Sequence, residues 1–197
     1  MYTRGLSQAN IVVSLAFGYG GLVQLLAGMW EMAVGNTFGA TALSSYGGFW
    51  LAFAIVLTPG FGIGKALEVT DAEGRITDET ALLNSMGLFL MGWFIFTTIL
   101  LICTLRSTVA FFLLFFFLDL TFLLLGISYL VRPNGGQYVA VQKAGGLFGF
   151  LAGFAAWYNA LAGLVDNSNS FFIVPVAHFP WSPTGRSRRS KTQRELA

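Results

Sequence analysis

The sequence predicts an all-α polytopic membrane bundle with five transmembrane helices. Of the 197 residues, 55% are hydrophobic and only 10% are charged, against about 25% charged in a soluble domain. The mean hydropathy is +0.70. The apolar residues fall in continuous runs of about 20, the length that crosses a bilayer as a helix. Alternating stretches of about ten residues, which a membrane β-barrel would need, do not occur.

The first run extends from about Ile11 to Trp30 and carries no charge. The ten residues before it are polar and the run is span-length, so no cleavable leader is expected. The second, about Thr37 to Thr58, stops at Pro59-Gly60, where proline ends helical bonding. The third covers about Asn84 to Leu105, the fourth about Thr108 to Val131 and the fifth about Ala144 to Val165. Residues 1–165 are thus expected to form the transmembrane domain. The connection from Gly60 to Leu83 is acidic, with Glu68, Asp71, Glu73, Asp78 and Glu79 against Lys65 and Arg75. Residues 166–197 hold three prolines and end in a basic run, so a disordered C-terminal tail is expected.

Cationic residues on the cytoplasmic side orient membrane proteins. A cytoplasmic C-terminus places Arg106, Arg186, Arg188, Arg189, Lys191 and Arg194 inside. It leaves Arg4, Lys65, Arg75, Arg132 and Lys143 outside. The single cysteine, Cys103, excludes an intrachain disulfide and a cysteine-cluster metal site. His178 is the only histidine, and no hydrolase, zinc or phosphate-loop motif occurs. No enzymatic activity, cofactor, metal or nucleic-acid partner is expected; the partner is membrane lipid together with a transported solute.

Residues 31–50 are polar and glycine-rich where plain apolar helix would be usual. Such groups are costly at membrane depth unless they face protein or a water-filled path. On a helix capped by Asn36 or Thr37, Thr37, Thr41, Ser44, Ser45 and Gly48 fall at offsets 0, 4, 7, 8 and 11, on one face. A hydroxyl stripe can guide a carboxylate without trapping it, and a helix N-terminus attracts anions. Asn36, Thr37, Thr41 and Ser45 are therefore candidates for a substrate pathway. The alternative is hydroxyls bonded to their own preceding turn. Glu31 either caps a vestibule, accepts a proton or sits at the interface. Asp119, amid Phe and Leu, is either a proton-coupling or gating acid or makes a helix–helix hydrogen bond to a hydroxyl or amide on another span, Gln24 and Asn159 being such amides. Gly145, Gly149 and Gly153, at spacing four, fit close helix packing within the chain or between copies, as do Gly21 and Gly28.

Tyr19 to Glu31, followed by Gly35-Asn36-Thr37-Phe38-Gly39-Ala40-Thr41-Ala42 and Ser44-Ser45-Tyr46-Gly47-Gly48-Phe49-Trp50, resembles the acetate uptake transporter family of fungal Ato proteins and bacterial acetate–succinate permeases. The resemblance implies a multi-pass plasma-membrane protein that moves acetate and similar monocarboxylates, with proton symport proposed, and that assembles as a homo-oligomeric hexamer. It also implies a hydrophobic constriction. Tyr46 matches one constriction position through its Ser-Tyr-Gly context, and Leu118, beside Asp119, matches another by ungapped alignment from Thr104-Leu105-Arg106. Family members have six helices, the first opened by an Asn-Pro-Ala-Pro motif that has no match here; five of six are expected. Ammonium export, and a non-transporting subunit joined to a complete paralogue, are the alternative functions.

Overall fold

The computed structural model describes residues 11–133 and 135–195. Arg4 and the other nine N-terminal residues lie outside them, as do the side chains of Arg189, Lys191 and Arg194. The five expected spans are five helices: α1 (Ile11–Ala33), α2 (Thr37–Leu57), α4 (Thr80–Thr104), α5 (Val109–Leu130) and α6 (Val139–Leu164). Between α2 and α4 lie a 3-10 turn (Pro59–Phe61), a short α3 (Ile63–Ala66) and two strands, β1 (Val69–Thr70) and β2 (Ile76–Asp78). After α6 comes α7 (Pro183–Glu195). Helix α4 begins earlier than the expected Asn84, with Thr80-Ala81-Leu82-Leu83 as its first turn and the Asp78 carboxylate accepting from Thr80 N at 2.8 Å.

The chain divides into two compact units, at Leu82 and Leu83. In the first, α1 and α2 form an antiparallel hairpin held by close backbone approach. A Cβ at Gly28 would sit 2.2 Å from Ser44 Oγ, and one at Gly47 would sit 2.6 Å from Leu25 N. Gly20 packs against the Trp50 ring and Gly21 against Leu51. Small residues allow this approach, and in lipid the resulting van der Waals contact drives association. Midway, α1 widens into a π-turn over Gly18–Val23, which apolar periodicity did not reveal. At Gly21 a Cβ would lie 2.5 Å from Ala16 O, five residues back, so the wide turn itself requires glycine there. The hairpin turn uses Gly35 at φ +83°, a left-handed conformation that glycine adopts readily.

Strands β1 and β2 pair antiparallel, with Val69 opposite Asp78 and Thr70 opposite Ile76. Their turn is organised by Asp71, whose carboxylate accepts from Arg75 N at 2.8 Å, Arg75 Nε at 2.8 Å and Glu73 N at 3.1 Å. The Arg75 backbone N–H is the main cause holding this carboxyl below its ordinary value of 3.8.

In the second unit, α5 packs against α4 and α6. Gly87 approaches Leu130, Gly126 approaches Met91, Gly145 approaches Leu125 and Gly149 approaches Thr121. Gly153 faces open space, since a Cβ there would meet nothing within 4 Å; the glycine row therefore meets α5 at two positions. Asn159 spends both amide hydrogens, on Ala110 O across the helix pair at 3.0 Å and on Ala155 O at 2.8 Å. Ser128, fully buried, donates to Leu125 O and accepts from Gln137 Nε2 at 3.0 Å.

The tail departs from the disorder expected of it. Residues 166–182 fold back along α5 and α6, and residues 183–195 are helical. Asp166 begins the segment as a turn former, and hydrogen bonds, chiefly from the Ser168 side chain, hold its carboxyl below the ordinary value. Val109 N donates to Ala177 O at 2.6 Å, Thr108 bridges His178, and Trp181 Nε1 donates to Leu105 O at 2.7 Å. The Tyr158 hydroxyl donates to Pro175 O. Phe179 stacks on Trp181 and meets Phe112 edge-on. Composition misleads here because the ordering comes from a few aromatic and backbone contacts, while the charges that suggest disorder sit beyond them.

Candidate functional site

The hydroxyl-bearing part of α2 starts at Asn36. This residue caps the helix, its Oδ1 accepting from Gly39 N at 3.0 Å. Its Nδ2 donates to Glu31 Oε2 at 2.6 Å, and its backbone N–H donates to Glu31 O at 2.9 Å. The Glu31 carboxylate therefore lies at the N-terminus of α2, so close that a Cβ on Gly39 would be 3.0 Å from Glu31 Oε2. The positive end of the helix dipole already faces an acidic side chain. Asn36 and Glu31 are thus hydrogen-bonded to each other, so each has a partner within the chain.

Beyond the cap, Thr37 and Thr41 are exposed, Ser45 is half-buried, and a Cβ at Gly48 would meet nothing within 4 Å. These four make one open face of α2. Thr41 Oγ1 donates back to Thr37 O at 2.8 Å, so its hydrogen is used locally while its oxygen can still accept. Ser44, grouped with them by offset, turns toward Gly28 on α1. One residue's difference in phase separates the open face from the packed one. Tyr46 is buried, 7% exposed, on the same helix.

In the second unit, Leu118 is half-buried on α5 and Asp119 is buried beside it. Asp119 Oδ1 lies 2.8 Å from Thr98 Oγ1 of α4. The partner is thus a hydroxyl, one of the two kinds of group expected for a helix–helix hydrogen bond. Thr98 was missed by the sequence reading; the signal available was the Thr97-Thr98 pair in the middle of an apolar run. Among the described residues, no group of three or more His, Cys, Asp or Glu could hold a metal ion.

Residues 1–181 match the GPR1/FUN34/yaaH family. The chain belongs to that family. The resemblance read from residues 19–50 is therefore upheld. Among relatives in the GPR1/FUN34/yaaH family, Acetate permease A of Emericella nidulans is 72% identical over 197 residues, covering 99% of this chain and 64% of the relative. Ammonia transport outward protein 2 of Saccharomyces cerevisiae is 47% identical over 171 residues, covering 87% of this chain and 56% of the relative. The chain thus spans less than two thirds of the length of either. Among solved structures, the bacterial acetate channel SatP superposes with a TM-score of 0.70 and 28% identity, covering 87% of this chain and 85% of that one. The all-α membrane architecture agrees with that match.

Proposed function

We propose that this chain carries acetate or a closely related short monocarboxylate across the plasma membrane, accompanied by a proton. The observation that carries the reading is the open face of Thr37, Thr41, Ser45 and Gly48 on α2, in a family whose 72%-identical relative is named an acetate permease. The face offers hydroxyl oxygens and no fixed charge, which suits a solute that must bind and leave. Asn36 forms its mouth. Tyr46 on α2 and Leu118 on α5 are each proposed as constriction residues, through the family resemblance. Glu31 bears on the form of the solute. Its carboxyl lies at the α2 N-terminus, where it is proposed as an acid that couples a proton to passage of the anion.

The C-terminus is proposed to be cytoplasmic. The Trp181–Leu105 hydrogen bond ties the tail to the α4–α5 turn, so Arg106 and the cations of residues 186–194 share one side, in line with the cationic bias of cytoplasmic loops. Assembly as a homo-oligomer, a hexamer by family resemblance, belongs to the same proposal.

Labelled-acetate uptake by proteoliposomes containing the chain tests the reading. We expect uptake above empty liposomes, increased by an inward proton gradient and reduced several-fold in Thr41→Val, whose shape is nearly that of threonine. Uptake equal to empty liposomes sinks it for this chain. Ammonium movement is the second reading, favoured by the 47%-identical relative named for outward ammonia transport. Loss of acetate uptake in Tyr46→Ala with ammonium release unchanged separates the two.

A further inference from the structure

We propose that Asp119 is a proton-binding site whose occupancy is read by the α4 backbone through Thr98. The argument is a count of hydrogens. Thr98 Oγ1 lies 2.9 Å from Phe94 O and 2.8 Å from Asp119 Oδ1. A threonine hydroxyl carries one hydrogen, whereas a carbonyl and an ionised carboxylate only accept. With Asp119 ionised, two acceptors compete for that one hydrogen. A neutral carboxyl supplies the missing one. Asp119 then donates to Thr98 Oγ1, Thr98 donates to Phe94 O, and each short contact has its own hydrogen.

The surroundings agree with a neutral group. Asp119 is 8% exposed and lies between Phe115 and Phe122 on the buried face of α5. Trp93 of α4 stacks on Phe122. The titratable side chains on the helices packed there are Cys103 on α4, Tyr129 on α5, and Lys143 and Tyr158 on α6. Among the described residues none of them, and no cation, is bonded to the Asp119 carboxyl. Removing the proton leaves a carboxylate that takes the Thr98 hydrogen, and Phe94 O then loses its bond to the side chain. Threonine back-bonds of this kind bend helices, so proton occupancy at Asp119 is coupled to the course of α4. This site stands whether or not acetate is the transported solute.

Infrared spectroscopy of the full chain in lipid nanodiscs at neutral pH tests it without any transport assay. The carbonyl stretch of a protonated carboxylic acid should be present and should disappear in Asp119→Asn. It should shift to higher frequency in Thr98→Val, which removes the hydrogen-bond acceptor, and return close to its original position in Thr98→Ser. Absence of a band that Asp119→Asn removes overturns the proposal, as does a band that Thr98→Val leaves in place. Should Asp119→Asn fail to fold, the Thr98→Val and Thr98→Ser pair reads the same band.

Discussion

At the scale of single residues, glycine positions do the most to set the structure. Gly28 has no room for a side chain, because a Cβ there would be 2.2 Å from Ser44 Oγ and 2.6 Å from Ser44 N. Gly28→Ala should therefore push α1 and α2 apart and cost about 1–3 kcal/mol, the usual range for overpacking. Gly146→Ala, where a Cβ would meet nothing within 4 Å, should be nearly neutral. Denaturant titration in detergent micelles compares the two. Asp71 supplies a pH-dependent case. Its carboxyl is held below 3.8, first by the Arg75 backbone N–H. The support it gives the β1–β2 turn is thus fully present above 3.8 and is lost as pH falls through its own lower value. Amide hydrogen exchange at Arg75 and Glu73 should accelerate over that acidic window, and in Asp71→Ala it should be fast at neutral pH as well. An exchange rate indifferent to the carboxyl would contradict this.

At the scale of elements, the helices follow from composition but their irregularities do not. The π-turn in α1 follows Gly18, Gly20 and Gly21, and wide turns of this kind are often found at functional positions. The strap of residues 166–182 owes its course to separate anchors on α5, α6 and the α4–α5 turn. Trp181 is the last of these before α7. Trp181→Phe keeps an aromatic ring, smaller than the indole, to stack on Phe179 but removes the hydrogen bond to Leu105 O. The expected loss is about 1 kcal/mol, confined to the strap. Limited proteolysis should then cleave between residues 182 and 195 faster, by a few-fold, while the spans stay protected. Equal rates in both proteins would show that the indole N–H contributes nothing to holding the strap.

At the scale of the whole molecule, the charge argument for orientation becomes concrete once the strap is anchored. Arg186 follows Trp181 by five residues, and Trp181 is bonded to Leu105 at the end of α4, which supports the proposed cytoplasmic C-terminus. In a Cys103→Ser background, Ser190→Cys should react with an impermeant maleimide only after the membrane is opened, if the C-terminus has the proposed orientation. Labelling on intact cells would reverse the proposed orientation.

The five spans were legible in the sequence, since a continuous apolar run of about 20 residues has the length that crosses a bilayer as a helix. The family was legible in residues 19–50. That a cap lies at Asn36 or Thr37 was legible too, because capping is a local rule; the expected hydroxyl face was legible only in part, since Ser44 turns to Gly28 on α1. Only the tertiary structure decided which way each polar group is spent. It packed Ser44 against Gly28 of α1, bonded Thr98 to Asp119, and tied the tail to α5 and α6. The physical reason is that a hydrogen bond at membrane depth goes to whichever partner the packing brings within about 3 Å. That partner, as with Thr98 and Asp119 or Trp181 and Leu105, is set by helix contact and not by sequence spacing.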